Sequence, residues 1–122
     1  MTWEFKKDRP IYTQLIEQVE RNIVSGLWQP GERLPSVRDL AAEAAVNPNT
    51  MQRALAELER DGLLYTVRTS GRFITEDTQM IKKLKDSLAI LEIQTFFEKM
   101  SAFGFDRKQS IAMLEAASKE EK

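Results

Sequence analysis

The chain has 122 residues, a net charge of −1, 42% hydrophobic and 30% charged residues, and neither cysteine nor histidine. Such a composition supports one soluble domain of usual size, or a small domain with a short extension, and excludes a two-domain enzyme and a disordered polyelectrolyte. Without Cys and His there is no disulfide, no Cys/His zinc site, no thiol nucleophile and no imidazole-dependent triad.

From residue 10 to 25 the apolar residues Ile11, Leu15, Val19 and Ile23 recur at i+4, with Tyr12, Ile16 and Val24 beside them, which predicts a helix. Pro10 suits its first position and Gly26 its stop. Residues 29–32, with their Pro-Gly dipeptide, read as a turn. A second helix is expected from Ser36 as N-cap, with Asp39 completing a capping box and Val37, Leu40, Ala41 and Ala44 facing inward. A third is signalled by Asn47 as N-cap and Pro48 at the first position, followed by Met51, Ala54, Leu55 and Leu58, with Gly62 to end it.

Only Ala45 and Val46 separate these two short helices, the connection of a helix-turn-helix. Residues 63–67 and 72–75 are β-branched and aromatic runs around residues 68–71, and so predict a hairpin. The expected fold is mainly α with a small β-hairpin: an N-terminal winged helix-turn-helix over residues 1–75, then a two-helix C-terminal dimerisation segment over 76–122. In that segment a long helix begins near Asp77 and carries Ile81, Leu84, Leu88 and Leu91 at near-heptad spacing, with Ile90, Ile93, Phe97 and Met100 on another side. Gly104 breaks the pattern, and Asp106 with Gln109 caps a last helix containing Ile111, Leu114 and Ala117; residues 118–122 read as a frayed end.

A wheel at about 100° per residue sets Asn49, Arg53, Ala56 and Arg60 opposite the buried side of the third helix, with Gln52 at the edge. Asn and Gln can pair bidentately with adenine, and Arg with guanine or phosphate, so this face suits a major groove. No acidic residue lies between Ala44 and Ala56, or between Gly62 and Ile74. Arg38 in the preceding helix and Arg68 and Arg72 in the hairpin place further cations around it. The bland readings are a solvated helix face, an ion pair of Arg38 with Glu43 or Asp39, and hairpin arginines kept for solubility.

The residues PGERLPSVRDLAAEAAVNPNTMQRALAELERDGLL, followed by VRTSGRFIT, closely resemble the DNA-binding domain of the GntR family of bacterial transcription regulators. The VNPNT segment and short extension look like the YtrA-type subfamily. The resemblance implies a phosphate contact at Arg38, a groove-reading end at Asn47, Asn49, Thr50, Gln52 and Arg53, and a wing tip at Gly71 near the minor groove. With Ser36, Arg68, Thr69, Ser70 and Arg72 these complete the expected DNA-binding set. Leu34 is read as core, and Arg33 as a structural cation paired with a nearby carboxylate. Two positions depart from the family pattern. Ala45 stands where Gly is usual, so either a left-handed backbone costs about 1 kcal/mol there or the turn differs slightly. Thr69 stands where a first wing glycine is common.

The leading expectation is therefore a homodimeric, sequence-specific repressor of an inverted-repeat DNA operator, with kinship suggesting a neighbouring transporter operon. Its dimer face is expected among Ile81, Leu84, Leu88, Leu91, Ile93, Phe97, Met100, Ile111 and Leu114. The rival is a winged helix that binds protein. A small enzyme comes third, because the carboxylate pairs Glu57 with Asp61, Glu76 with Asp77 and Glu120 with Glu121 all read as surface charge. No cofactor or metal is expected, a small-molecule effector is left open, and the absence of an apolar leader or span predicts a cytoplasmic protein with no membrane partner.

Overall fold

The computed structural model describes residues 3–120; Glu121 and Lys122, assigned above to a frayed end and in part to a carboxylate pair, lie outside the described residues. In chain order it comprises α1 (Ile11–Val24), α2 (Val37–Ala44), α3 (Pro48–Arg60), β1 (Leu64–Val67), β2 (Gly71–Ile74), α4 (Thr78–Ala102) and α5 (Arg107–Glu120). This is a winged helix-turn-helix followed by a helical extension. By compactness it divides inside α4, into a unit up to Lys85 and a unit from Asp86.

Local signals set the helix ends. Pro10 is the N-cap of α1 and not its first residue, because its ψ of 141° keeps it extended. Ser36 Oγ accepts from the Asp39 amide at 3.1 Å and starts α2. Asn47 Oδ1 accepts from the Asn49 amide at 2.7 Å and starts α3, with Pro48 in the first turn. Between them Ala45 is left-handed, with φ 58° and ψ 46°. A Cβ in that region crowds the following carbonyl, so the turn keeps its shape at a cost of about 1 kcal/mol.

The core of the first unit closes on itself. Leu15, Val19 and Ile23 of α1 meet Leu40, Ala41 and Ala44 of α2, Met51, Ala54, Leu55 and Leu58 of α3, and Leu34, Leu63, Leu64 and Ile74 from the strands and their approaches. Each fully buried Leu or Met contributes roughly 1.5–3 kcal/mol. The hairpin is antiparallel, with Leu64 opposite Ile74 and Val67 opposite Gly71.

Residues 31–34 do more than turn. They run along the free edge of β2: Ile74 N–H donates to Glu32 O at 2.9 Å, Leu34 N–H donates to Arg72 O at 2.8 Å, and Arg33 bridges Phe73. The N-terminal segment also packs. Trp3 and Phe5 lie against the core, and Gln14, only 3% exposed, clamps the segment by accepting from Lys6 N–H at 2.7 Å and donating to Lys6 O and Arg9 O at 2.8 and 2.9 Å. All its side-chain hydrogen-bonding capacity facing the segment is used, which is how an amide can be buried.

Asp77 Oδ1 accepts from the amides of Gln79 and Met80, both at 3.1 Å, and so starts α4. Met80, Ile81 and Leu84 then pack against the core of the first unit. The helix leaves β2 through a short capped connection and lays its first turns, with half-buried Ile81 and Leu84, on its own domain.

In the second unit the capping box at α5 is reciprocal, with Asp106 N–H donating to Gln109 Oε1 at 2.9 Å and Gln109 N–H to Asp106 Oδ1 at 2.8 Å. Ser110 is fully buried and donates to Asp106 O at 2.8 Å. The Arg107 guanidinium lies 4.6 Å from the Phe97 ring centroid. Helix α5 continues through Glu120, so residues 118–120 are helical and not frayed. Among the described residues, no helix is long and apolar enough to cross a membrane.

Candidate nucleic-acid interface

Helix α3 is anchored by Met51, Ala54, Leu55 and Leu58, each at most 1% exposed. Burial of that stripe turns the opposite side of its N-terminal half outward. Asn49, Gln52 and Arg53 are exposed there, and Thr50 is half-buried. Asn47 is exposed but its Oδ1 is occupied by capping, so only its amide nitrogen remains for a ligand. The Arg53 guanidinium rests 4.8 Å from the centroid of the Tyr12 ring of α1, which limits its rotamers while leaving its donors accessible.

Ser36 spends its hydroxyl on the α2 cap and thereby fixes Arg38 in the first turn of that helix. Arg38 is exposed. Neither Asp39 nor Glu43 pairs with it, and Glu43 instead accepts from Trp3 Nε1 at 3.4 Å.

At the wing, Ser70 N–H donates to Val67 O at 2.9 Å, closing a turn in which Arg68, Thr69 and Ser70 are exposed. Gly71 directly follows that turn as the first residue of β2, paired with Val67, with φ 116°. A positive φ of that size needs glycine, and the turn before it needs the bend. Arg72 differs from its neighbour Arg68. Its Nε donates to Glu59 Oε1 at 3.1 Å, with only 17% of the side chain exposed, and the same oxygen accepts from Thr66 Oγ1 at 2.9 Å. Arg72 thus ties the wing to α3 instead of projecting a free charge. Arg33, expected to pair with a carboxylate, makes no ion pair among the described residues; its guanidinium lies over Gly71.

The structure therefore brings together the outward end of α3, Arg38 of α2 and the turn at residues 68–70 within one unit. Glu59 and Tyr12, which hold Arg72 and Arg53, escaped sequence reasoning because each is far along the chain from its partner. Glu57 is paired with Arg60, Asp61 caps the end of α3, and Asp77 caps α4. Glu20 of α1 is half-buried, and burial, followed by the nearby charges of Asp61 and Glu17, raises its pKa above the ordinary carboxylate value. Two grooves are open to solvent, one of about 380 Å³ along α1 and the N-terminal segment and one of about 500 Å³ beside Phe97 and Arg107. Among the described residues no group of acidic side chains is arranged to hold a metal ion.

Comparison with known proteins gives these features a context. Residues 11–74 match the family described as "Bacterial regulatory proteins, gntR family". The chain is 36% identical over 108 residues to the uncharacterised HTH-type transcriptional regulator YhcF of Bacillus subtilis, covering 88% of this chain and 89% of that one. It is 42% identical over 74 residues to the HTH-type transcriptional repressor YtrA of the same organism, covering 61% of this chain and 57% of that one. Among solved structures, a GntR family transcriptional regulator from Listeria monocytogenes superposes with a TM-score of 0.84 at 38% identity, over 92% of this chain and 98% of that one. The DNA-binding domain of AraR in complex with operator ORR3 superposes with a TM-score of 0.52 at 29% identity, over 62% of this chain and 88% of that one.

Proposed function

The chain belongs to the GntR family of bacterial regulatory proteins, with YtrA-type kinship, and on that premise we propose that this DNA-binding transcription regulator is a homodimeric repressor of an inverted-repeat operator. The observation that carries the reading is the polar end of α3: Asn49, Gln52 and Arg53 stand exposed on a helix whose other side is wholly buried. Regulation of transcription, not enzymatic turnover, is what its relatives are named for.

In this reading α3 enters the major groove. Asn49 and Gln52 read base edges with Thr50 and the free amide of Asn47 beside them, Arg53 and Arg38 hold phosphate, and Arg68, Thr69 and Ser70 approach the minor groove. Repression is supported by the kinship with YtrA, a repressor, and operator binding by the likeness to AraR on its operator. The YtrA-type kinship makes a neighbouring transporter operon the first target to examine, and action on bacterial DNA puts the protein in the cytoplasm.

Dimerisation is supported by apolar exposure in the second unit. Leu91 and Ile93 are 58% and 54% exposed, and Ile111 and Leu114 are 47% and 49% exposed. Exposed apolar residues in such number mark a surface that a partner covers. The dimer face is therefore assigned to these four with Leu88, Phe97 and Met100, and without Ile81 and Leu84. Selection of bound duplexes from a random DNA pool tests the reading. The expected outcome is an inverted repeat with half-sites about one helical turn, or a multiple, apart. Enrichment of a single unrepeated site, or of none, would overturn it.

A further inference from the structure

We propose that Arg33, and not Arg72, joins Arg68 as the wing's second contact to the DNA backbone, and that Gly71 is glycine partly to let the Arg33 guanidinium lie there. The inference rests on the DNA-binding reading of the first unit and adds to it a residue on a different strand edge.

Three observations converge on Arg33. Its backbone is held against β2, bridging Phe73 between the bonds Ile74 N–H to Glu32 O and Leu34 N–H to Arg72 O. Its side chain reaches the wing: a Cβ added to Gly71 would lie 3.1 Å from Arg33 Nε and 3.6 Å from Nη2, tighter at Nε than ordinary contact. Its charge is unanswered, since the residue is exposed and no carboxylate pairs with it among the described residues.

A guanidinium keeps its charge at any physiological pH and offers a planar fork of donors that fits a phosphate bidentately. Here that fork lies over Gly71, next to the exposed turn at residues 68–70, with no carboxylate to displace among the described residues. Arg72 offers the opposite case. Its Nε is bonded to Glu59 and its side chain is largely covered, so a phosphate would have to displace an existing ion pair. Proximity in sequence to the wing turn favours Arg72; charge balance favours Arg33.

The test is a salt titration of affinity, using the duplex most enriched by the wild-type chain and a random-sequence duplex of equal length. Arg33→Gln should make the plot of log affinity against log salt shallower by about one per bound protomer, as Arg68→Gln should, so a fourfold rise in salt costs roughly 3.5-fold less affinity. Arg33→Lys should retain the wild-type slope, and Arg72→Gln should leave it unchanged. Gly71→Ala should reduce the slope to that of Arg33→Gln, with no further reduction when the two are combined. Thermal unfolding of Arg33→Gln should match wild type, since the side chain is exposed and unpaired. An unchanged slope in Arg33→Gln, or a slope lowered by Arg72→Gln instead, would overturn the proposal. Arg38→Ala separates the two levels: a slope that responds to Arg38 but not to Arg33 removes only this inference, whereas a slope that responds to neither removes the DNA-binding surface itself.

Discussion

Helices α3 and α4 both carry apolar periods by sequence, yet they end in opposite conditions. Thirteen residues of α3 bury Met51, Ala54, Leu55 and Leu58 almost completely, while the 25 residues of α4 include none that is fully buried. The first unit satisfies its apolar stripes with its own chain. The second leaves Ile90, Leu91 and Ile93 more than half exposed. An apolar period thus says that a face will be covered and not by what. In the proposed dimer, fold stability and assembly would fall to different residues, and substitutions should separate them.

The largest separation is expected between Met51→Ala and Leu91→Ala. Met51 is fully buried, so its truncation should lose about 2–5 kcal/mol in urea unfolding. Leu91→Ala should leave that transition within about 0.5 kcal/mol while weakening self-association in sedimentation. Equal destabilisation by both would break the comparison.

Next in size is where the chain is cut. Ending it after Lys85 should leave a folded unit of unchanged core, whereas ending it after Thr75 removes Met80, Ile81 and Leu84 from that core, at a cost of roughly 2–4 kcal/mol. Both fragments should bind an inverted repeat far more weakly than the full chain, because the second site is lost. Full affinity in the longer fragment would show that the second unit contributes nothing to DNA binding.

Within the first unit, the exposed side of α3 should behave unlike its buried side. Gln52→Ala or Asn49→Ala should cost about 1–3 kcal/mol on the selected duplex and little on random DNA. Arg38→Ala should weaken both alike. Identical losses on cognate and random duplexes from Gln52→Ala would remove its base-reading role.

Two smaller effects refine the picture. Ala45→Gly should stabilise by up to about 1 kcal/mol, since glycine accepts the left-handed conformation without strain; destabilisation would mean that the turn is not left-handed in solution. Glu20→Gln tests the raised pKa. A carboxyl whose folded pKa lies above its unfolded value favours the fold when protonated, and that contribution disappears as pH rises through the folded value. Above both values the charged form disfavours the fold. The variant should be slightly more stable than wild type at pH 7, with the gain reduced by partial exposure of the group and absent below the ordinary value of 4.5. A constant difference across pH would assign the effect to packing.

Local chemistry explains what the sequence makes legible. The caps at Ser36, Asn47 and Asp106 form as their spacing requires, and the helix-turn-helix follows from the short connection Ala45–Asn47 between α2 and α3 even though Ala45 opposes its own conformation. The outward end of α3 is equally legible, because burial of four residues fixes the direction of the rest. The strand edge at residues 31–34, the Gln14 clamp and the Glu59–Arg72 pair are not legible, since each depends on which distant segment comes alongside. The same limit applies to Ile81 and Leu84. Their period marks an apolar face, and only the path of the helix away from β2 selects the covering surface.

The N-terminal aromatic cluster gives the molecule an optical reporter confined to one unit. Its two tryptophans are Trp3 and Trp28, their rings 6.5 Å apart beside the first unit's core, and both tyrosines, Tyr12 and Tyr65, also precede Lys85. Phenylalanine alone absorbs from Asp86 onward. Indole emission therefore follows detachment of the N-terminal segment and melting of the winged unit while remaining spectrally blind to the second unit's own chromophores, so the two can be followed through different signals in one unlabelled sample.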